Sequence, residues 1–156
     1  MTANIEGFKN LSVDLTGFSE FELFGTGNMQ VFYDLLKARI GKDCLTNLLD
    51  AHSSMARNDL KKNMRHSIMA DQCFGPIARN LVYLWFLGTW RTMPVSWTEK
   101  YGAGLENHQI IPSSSAYTSG LLWPTISGNP PGAKPFGYAM WANPPKFTSK
   151  KDILNA

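Results

Sequence analysis

Charge is nearly missing from the last third of this 156-residue chain: between Ala103 and Pro145 the only formal charges are Glu106 and Lys134. Segments rich in Pro, Gly and Ser usually stay solvated because charge keeps them so, and that class is excluded here. What fills the space instead is aromatic. From Trp85 to Pro145 the chain holds all five tryptophans (Trp85, Trp90, Trp97, Trp123, Trp141) and eight of its nine prolines. Large aromatics with depleted charge have the composition of a protein–protein interface core, so this segment is expected to lie on a surface, its own or a partner's.

Other absences narrow the class. Cys44 and Cys73 are the only thiols, too few for a disulfide scaffold; they are expected as buried free thiols, with a single bridge open to them in an oxidising compartment. The longest apolar run, Leu81 to Leu87, falls far short of the roughly 18 residues of a membrane span, so no direct span is expected. Met1 to Gly7 carries no basic segment, no apolar segment and no twin arginine, so no signal peptide is expected on this chain. Its place is then cytoplasmic, or periplasmic if it is carried out with a partner. A net charge of +3 gives no reason to expect nucleic acid. Nothing alternates with the period of a strand.

Helical periodicity is what is present. Met29, Phe32, Leu36 and Ile40 recur at three- and four-residue steps, predicting a helix over Met29–Ile40, with Val31 and Leu35 flanking the stripe, Thr26 or Asn28 at its start and Gly41 at its end. A second helix is expected from Lys42 to Met55 with Leu45, Leu48 and Leu49 inward, and a shorter one from Ser12 to Gly17 with Ser12 capping and Val13 and Leu15 buried. A third strong helix opens at Pro76 and is apolar all round, with Ile77, Leu81, Leu84 and Trp85 on one side and Val82, Tyr83, Phe86 and Leu87 on the other. It is the central helix of a bundle or is shared with a partner. Arg57 to Gln72 reads as an exposed basic connector or short helix, Ser114 to Trp123 as a short helix, and the prolines from Pro124 onward as a bar to regular structure. The expected architecture is all-α: a small helical bundle over 1–102 and a long irregular Pro/Trp-rich arm over 103–156, in one domain overall.

Chemistry is hard to find. His52, His66 and His108 do not share metal-ligand spacing with one another or with a Cys, Asp or Glu; Asp59 and His66 alone do not make a site. Phe24-Gly25-Thr26-Gly27-Asn28 lacks the lysine and hydroxyl pair of a phosphate loop and reads as a helix-start turn. Ser113, Ser114 and Ser115 sit in no nucleophile elbow and read as a helix cap. Catalytic, metal and cofactor-binding residues are accordingly expected to be none on this chain.

Certain segments, in order, resemble a known family. Leu11-Ser12-Val13-Asp14-Leu15-Thr16-Gly17, Trp85-Phe86-Leu87-Gly88, Tyr117-Thr118-Ser119-Gly120-Leu121-Leu122-Trp123 and Pro131-Gly132 leading to Trp141 and Pro144 are similar to the small subunit of membrane-bound, FAD-dependent sugar and polyol dehydrogenase complexes, such as those acting on sorbitol, fructose and glucose. The resemblance spans Phe8 to Pro145. It implies a mostly helical subunit without a cofactor of its own, paired with a large FAD-containing flavoprotein of the glucose–methanol–choline type, whose maturation and export it supports. A cytochrome subunit would be reached through that partner. Relatives commonly begin with a twin-arginine signal and can carry a cysteine before the Pro-Gly turn; this chain has neither, the latter stretch being Thr125-Ile126-Ser127-Gly128-Asn129. The residues expected at the partner interface are Trp85, Trp90, Trp97, Tyr117, Trp123, Pro131, Tyr138 and Trp141. The alternative is a stand-alone helical module holding an apolar small ligand in a Trp-lined pocket. A stand-alone enzyme with His66 or His108 as general base is the other rival.

Overall fold

The computed structural model describes residues 3–102 and 105–131. Among them there is no β-strand, only an isolated antiparallel bridge between Trp90 and Ile110, and the fold is all-α.

Helix α1 runs Ala3–Thr16 and buries Phe8, Leu11 and Ser12 completely. The expected short helix beginning at Ser12 is thus corrected: Ser12 sits inside α1, its hydroxyl accepting from Trp85 Nε1 at 3.1 Å, while Val13 and Leu15 are half-buried. The polar Ser12 interrupts the apolar stripe in the sequence and is masked as a core position for that reason. Helix α2 (Glu20–Gly25) starts on a capping box, with Glu22 N–H donating to Ser19 Oγ at 3.3 Å and Ser19 N–H donating to the Glu22 carboxylate at 2.8 Å. The Lys9 ammonium, bonded to Glu6 and to Glu20 at 3.1 Å, ties α1 to the start of α2.

Helix α3 (Met29–Ile40) has the bounds its periodicity predicts and buries Met29, Phe32, Leu36 and Ile40. Asn28 occupies its N-cap position, but its side chain makes no bond to the helix. Gly41, at φ +78°, turns the chain directly into α4 (Lys42–Ser53), which buries Leu45, Leu48, Leu49 and His52.

Of the two readings of the basic segment, the helical one holds. A 3-10 turn (Arg57–Asp59), helix α5 (Leu60–Asn63) and a π-helical turn (Met64–Met69) follow one another. Arg57, Lys61, Lys62, Arg65 and His66 are exposed, as their charge requires, while Met64 and Ile68, four residues apart, enter the core.

Helix α6 (Phe74–Leu87) is the centre of the fold, packing on α1, α3 and the π-turn. Asp71 Oδ1 accepts from the N–H groups of Cys73 and Phe74 at 2.8 and 2.7 Å, satisfying donors at the helix start. Trp85 lies edge-on to Phe32 at 4.8 Å and stacked on Phe8 at 6.4 Å. The outer side of α6 leaves Tyr83 and Leu87 partly exposed, so the helix is apolar all round without being buried all round.

Two asparagines hold the chain beyond α6. Asn80 receives the Arg91 N–H and donates to the Arg91 carbonyl, both at 2.7 Å; Asn107 does the same for Met93, at 2.7 and 3.1 Å. Helix α7 (Val95–Tyr101) buries Trp97, whose Nε1 donates to the Cys73 carbonyl at 2.8 Å. The described part of the arm packs back on the helices. Its short helices α8 (Ser114–Thr118) and α9 (Leu122–Thr125) contact α6, and Leu121 N–H donates to the Trp85 carbonyl at 3.0 Å. The single helix expected over Ser114–Trp123 is split at Gly120, where the Leu121 N–H is given to the Trp85 carbonyl instead of to Tyr117 four residues back; Gly120 there lies so close to the Phe86 carbonyl that a Cβ would stand 2.6 Å away. Pro124 sits within the first turn of α9, where its missing N–H costs nothing.

Candidate functional site

The residues expected at a partner surface separate into two groups. Trp85, Trp90 and Trp97 are 1%, 1% and 3% exposed and belong to the core of this chain, which corrects their expected place at an interface. Each is claimed by an internal element: Trp85 by α1 and α3, Trp90 by the bridge to Ile110, and Trp97 by the Cys73 carbonyl. Tyr117 and Trp123 are half-buried and Pro131 is exposed. Tyr138 and Trp141 lie outside the described residues.

Tyr117, Trp123 and Pro131 are brought together. The two rings meet edge to face at 5.5 Å, Trp123 Nε1 donates to the Tyr117 carbonyl at 2.8 Å, and the Tyr117 hydroxyl reaches the Pro131 carbonyl at 3.5 Å. Beside them opens a groove of about 450 Å³ walled by α2 and its C-terminal turn on one side (Glu22, Gly25, Thr26) and by the α8–α9 corner on the other (Gly120, Trp123, Pro124). The apolar part of its lining is Phe18, Leu121, Trp123 and Pro124. Outside that lining, in the adjoining segments, Phe21 is 86% exposed and Phe24 53% on α2, and Ile126 is 58% exposed past α9. The α2 phenylalanines were not among the expected site residues. Their signal was local: a six-residue helix with a capping box that buries Leu23 alone has no use for two further phenylalanines.

The backbone around the groove is fixed by polar side chains. Thr26 Oγ1 accepts the Asn28 N–H at 3.2 Å, and Asn28 Oδ1 accepts the Ser115 hydroxyl at 2.9 Å, joining the α2–α3 turn to α8. Ser113 Oγ caps α8 by accepting the Ala116 N–H at 3.0 Å. The glycine-containing turn and the serine cluster are therefore structural, as their motifs suggest. The bonds from Ser19 to Glu22 hold that carboxyl below its ordinary range and keep the groove's acidic rim charged.

A second hollow, about 730 Å³, lies between α1, α5 and α6, with Leu15, Phe18, Met64 and Val82 in its walls and Lys61 and Arg65 at its rim. Phe18 stands between the two hollows and lines both, its ring edge-on to Phe86 at 5.9 Å. No tryptophan lines this second hollow.

Sequence spacing also missed a polar cluster. Buried His52 Nε2 lies 2.7 Å from Asp14 Oδ2, and Arg57 donates to the same oxygen at 2.8 Å, joining α1, α4 and the 57–59 turn. Asp14 and His52 are 38 residues apart, so only the packing of α1 on α4 brings them together. His66 is exposed. His108 Nε2 faces the Arg39 guanidinium at 3.1 Å, and the same guanidinium donates to the Glu106 carbonyl at 3.0 Å. Among the described residues no three His, Cys, Asp or Glu side chains converge to hold a metal, and no helix is long and apolar enough to cross a membrane.

No protein-family model, curated protein or solved structure matches this chain. The described residues define a helical fold with a groove in whose mixed lining Phe18 and Trp123 are the aromatic side chains.

Proposed function

We propose that this chain is the non-catalytic small subunit of an FAD-dependent sugar or polyol dehydrogenase complex, which binds and stabilises the large flavoprotein subunit and aids its maturation or export. The observation that carries the reading is the exposure of Phe21, Phe24 and Ile126 in the segments next to the groove between α2 and α9, whose own lining includes Phe18, Leu121 and Trp123. Exposed side chains of this size are costly to leave in water, and apolar patches mark contact sites. The motif order that resembles the dehydrogenase small subunits supports the same reading, since its Tyr117–Trp123 segment forms one wall of the groove. FAD and the reacting atoms would reside on the partner. A cytochrome subunit would be reached through it.

Affinity purification of the tagged chain from its native cells tests the reading. The expected eluate contains a stoichiometric large partner, flavin absorption bands, and sugar- or polyol-dependent reduction of an electron-accepting dye. A colourless, monodisperse chain recovered alone would overturn the reading.

A further inference from the structure

The two cysteines, 29 residues apart in sequence, place their sulfurs 3.7 Å from each other. Cys44 lies in the first turn of α4, and Cys73 immediately precedes α6. Each is half-buried, so neither is sealed from a small reagent. The Cys73 position is held from three sides: its N–H by Asp71 at 2.8 Å, its carbonyl by Trp97 at 2.8 Å, and the adjoining Gln72 by Lys100 at 3.2 Å. Such fixed backbones keep the thiols paired, and closing van der Waals contact to a bond of about 2.0 Å asks only a small rotation about the Cα–Cβ bonds.

We infer that Cys44 and Cys73 are an intramolecular disulfide site, closed by exchange with a low-molecular-weight disulfide such as oxidised glutathione. In the first step the Cys73 thiolate attacks one glutathione sulfur, the glutathione S–S bond breaks, and one glutathione leaves as thiolate to take up a proton. In the second the Cys44 thiolate attacks Cys73 Sγ in the mixed disulfide, expelling the second glutathione. Two protein thiols are oxidised and one disulfide is reduced to two thiols. Burial pushes both thiols up, but on Cys73 the hydrogen bond from the Cys44 thiol and the Lys100 ammonium oppose that rise, whereas on Cys44 the neighbouring sulfur adds to it, so Cys73 is the entry thiol. The closed bridge joins α4 to the turn before α6, spanning the helical 57–69 region. It is independent of any flavoprotein partner.

The test is equilibration of the full-length chain with excess oxidised glutathione, read by intact mass, peptide mapping and thermal melting. The expected product has lost two hydrogens, carries no glutathione, yields a linked Cys44–Cys73 peptide, and melts about 7–14 °C higher than the reduced chain. Retained glutathione on both cysteines, two thiols still open to alkylation, or a disulfide-linked dimer would each overturn the inference. Cys44→Ser is expected to stop at a single glutathione adduct on Cys73, and a Cys44→Ser chain that takes no glutathione would overturn Cys73 as the entry thiol.

Discussion

The indole Nε1 of Trp85 donates to the hydroxyl of Ser12 at 3.1 Å, with both residues buried, so the last turn of α6 is locked to α1 by one polar contact inside an apolar core. The contact decides the rotation of both helices, because Phe8 stacks on the same indole that Ser12 satisfies. Removing the acceptor leaves an indole N–H buried without a partner. Ser12→Ala is expected to lower the unfolding free energy by about 1–3 kcal/mol in denaturant titrations. A Ser12→Ala, Trp85→Phe double variant should show coupling rather than additive losses.

Gly88 ends α6 at φ +67°, and a Cβ there would stand 2.4 Å from the Ala116 carbonyl carbon and oxygen. Both the left-handed conformation and the approach of α8 exclude a side chain. Gly88→Ala should cost more than about 1 kcal/mol and loosen the α8–α9 corner, seen as faster amide exchange at Ala116 and Leu121. Gly25, at the end of α2 with open space around its Cα, is the control: Gly25→Ala should change stability by less than about 1 kcal/mol.

Asn80 acts as a backbone surrogate inside the fold, satisfying both the N–H and the carbonyl of Arg91. Its replacement by Ala strands two main-chain groups at once. An expected loss of about 2–4 kcal/mol follows, and limited proteolysis should then cut near Arg91.

The groove face should behave differently from the core. Phe21→Ala and Ile126→Ala are expected to leave the unfolding free energy within about 0.5 kcal/mol of the parent, since both side chains stand mostly in water. Binding to the proposed flavoprotein subunit, measured by titration, should weaken about 10- to 100-fold for each. Unchanged binding in both would remove these exposed side chains beside the groove as docking contacts.

Burial pushes both thiols up, Cys44 to about 12, with the neighbouring sulfur and Asp71 adding to the shift on Cys44. The folded chain therefore holds its Cys44 proton where the unfolded chain, near 9.0, releases it. Stability from this group is full below pH 9 and falls as pH rises from there toward 12. Alkylation by iodoacetamide, which needs the thiolate, should be slow at pH 7 and rise about tenfold per pH unit toward pH 9. Fast alkylation at neutral pH would contradict the buried environment.

Much of the helical framework was legible in local spacing. The apolar stripe of Met29, Phe32, Leu36 and Ile40 determines α3 to the residue, and Leu45, Leu48 and Leu49 determine the inner face of α4, because helical periodicity is a property of neighbours in sequence. Composition also marked the chain's end as aromatic and uncharged. What neighbours could not decide was which aromatic rings face inward. Trp85, Trp90 and Trp97 have the chemistry of interface anchors, and they are core only because α1, α3, Ile110 and the turn at Cys73 close around them. Phe21 and Phe24 look like core residues, and they are exposed because α2 is too short to bury more than Leu23. The pairings Asp14–His52 and Cys44–Cys73 likewise exist only once α1 and α6 have packed beside α4 and the turns. Periodicity by itself determined α3, α4 and the apolar body of α6; the tertiary structure decided the extent of α1, the break between α8 and α9, and which face each helix shows, since burial depends on what lies opposite.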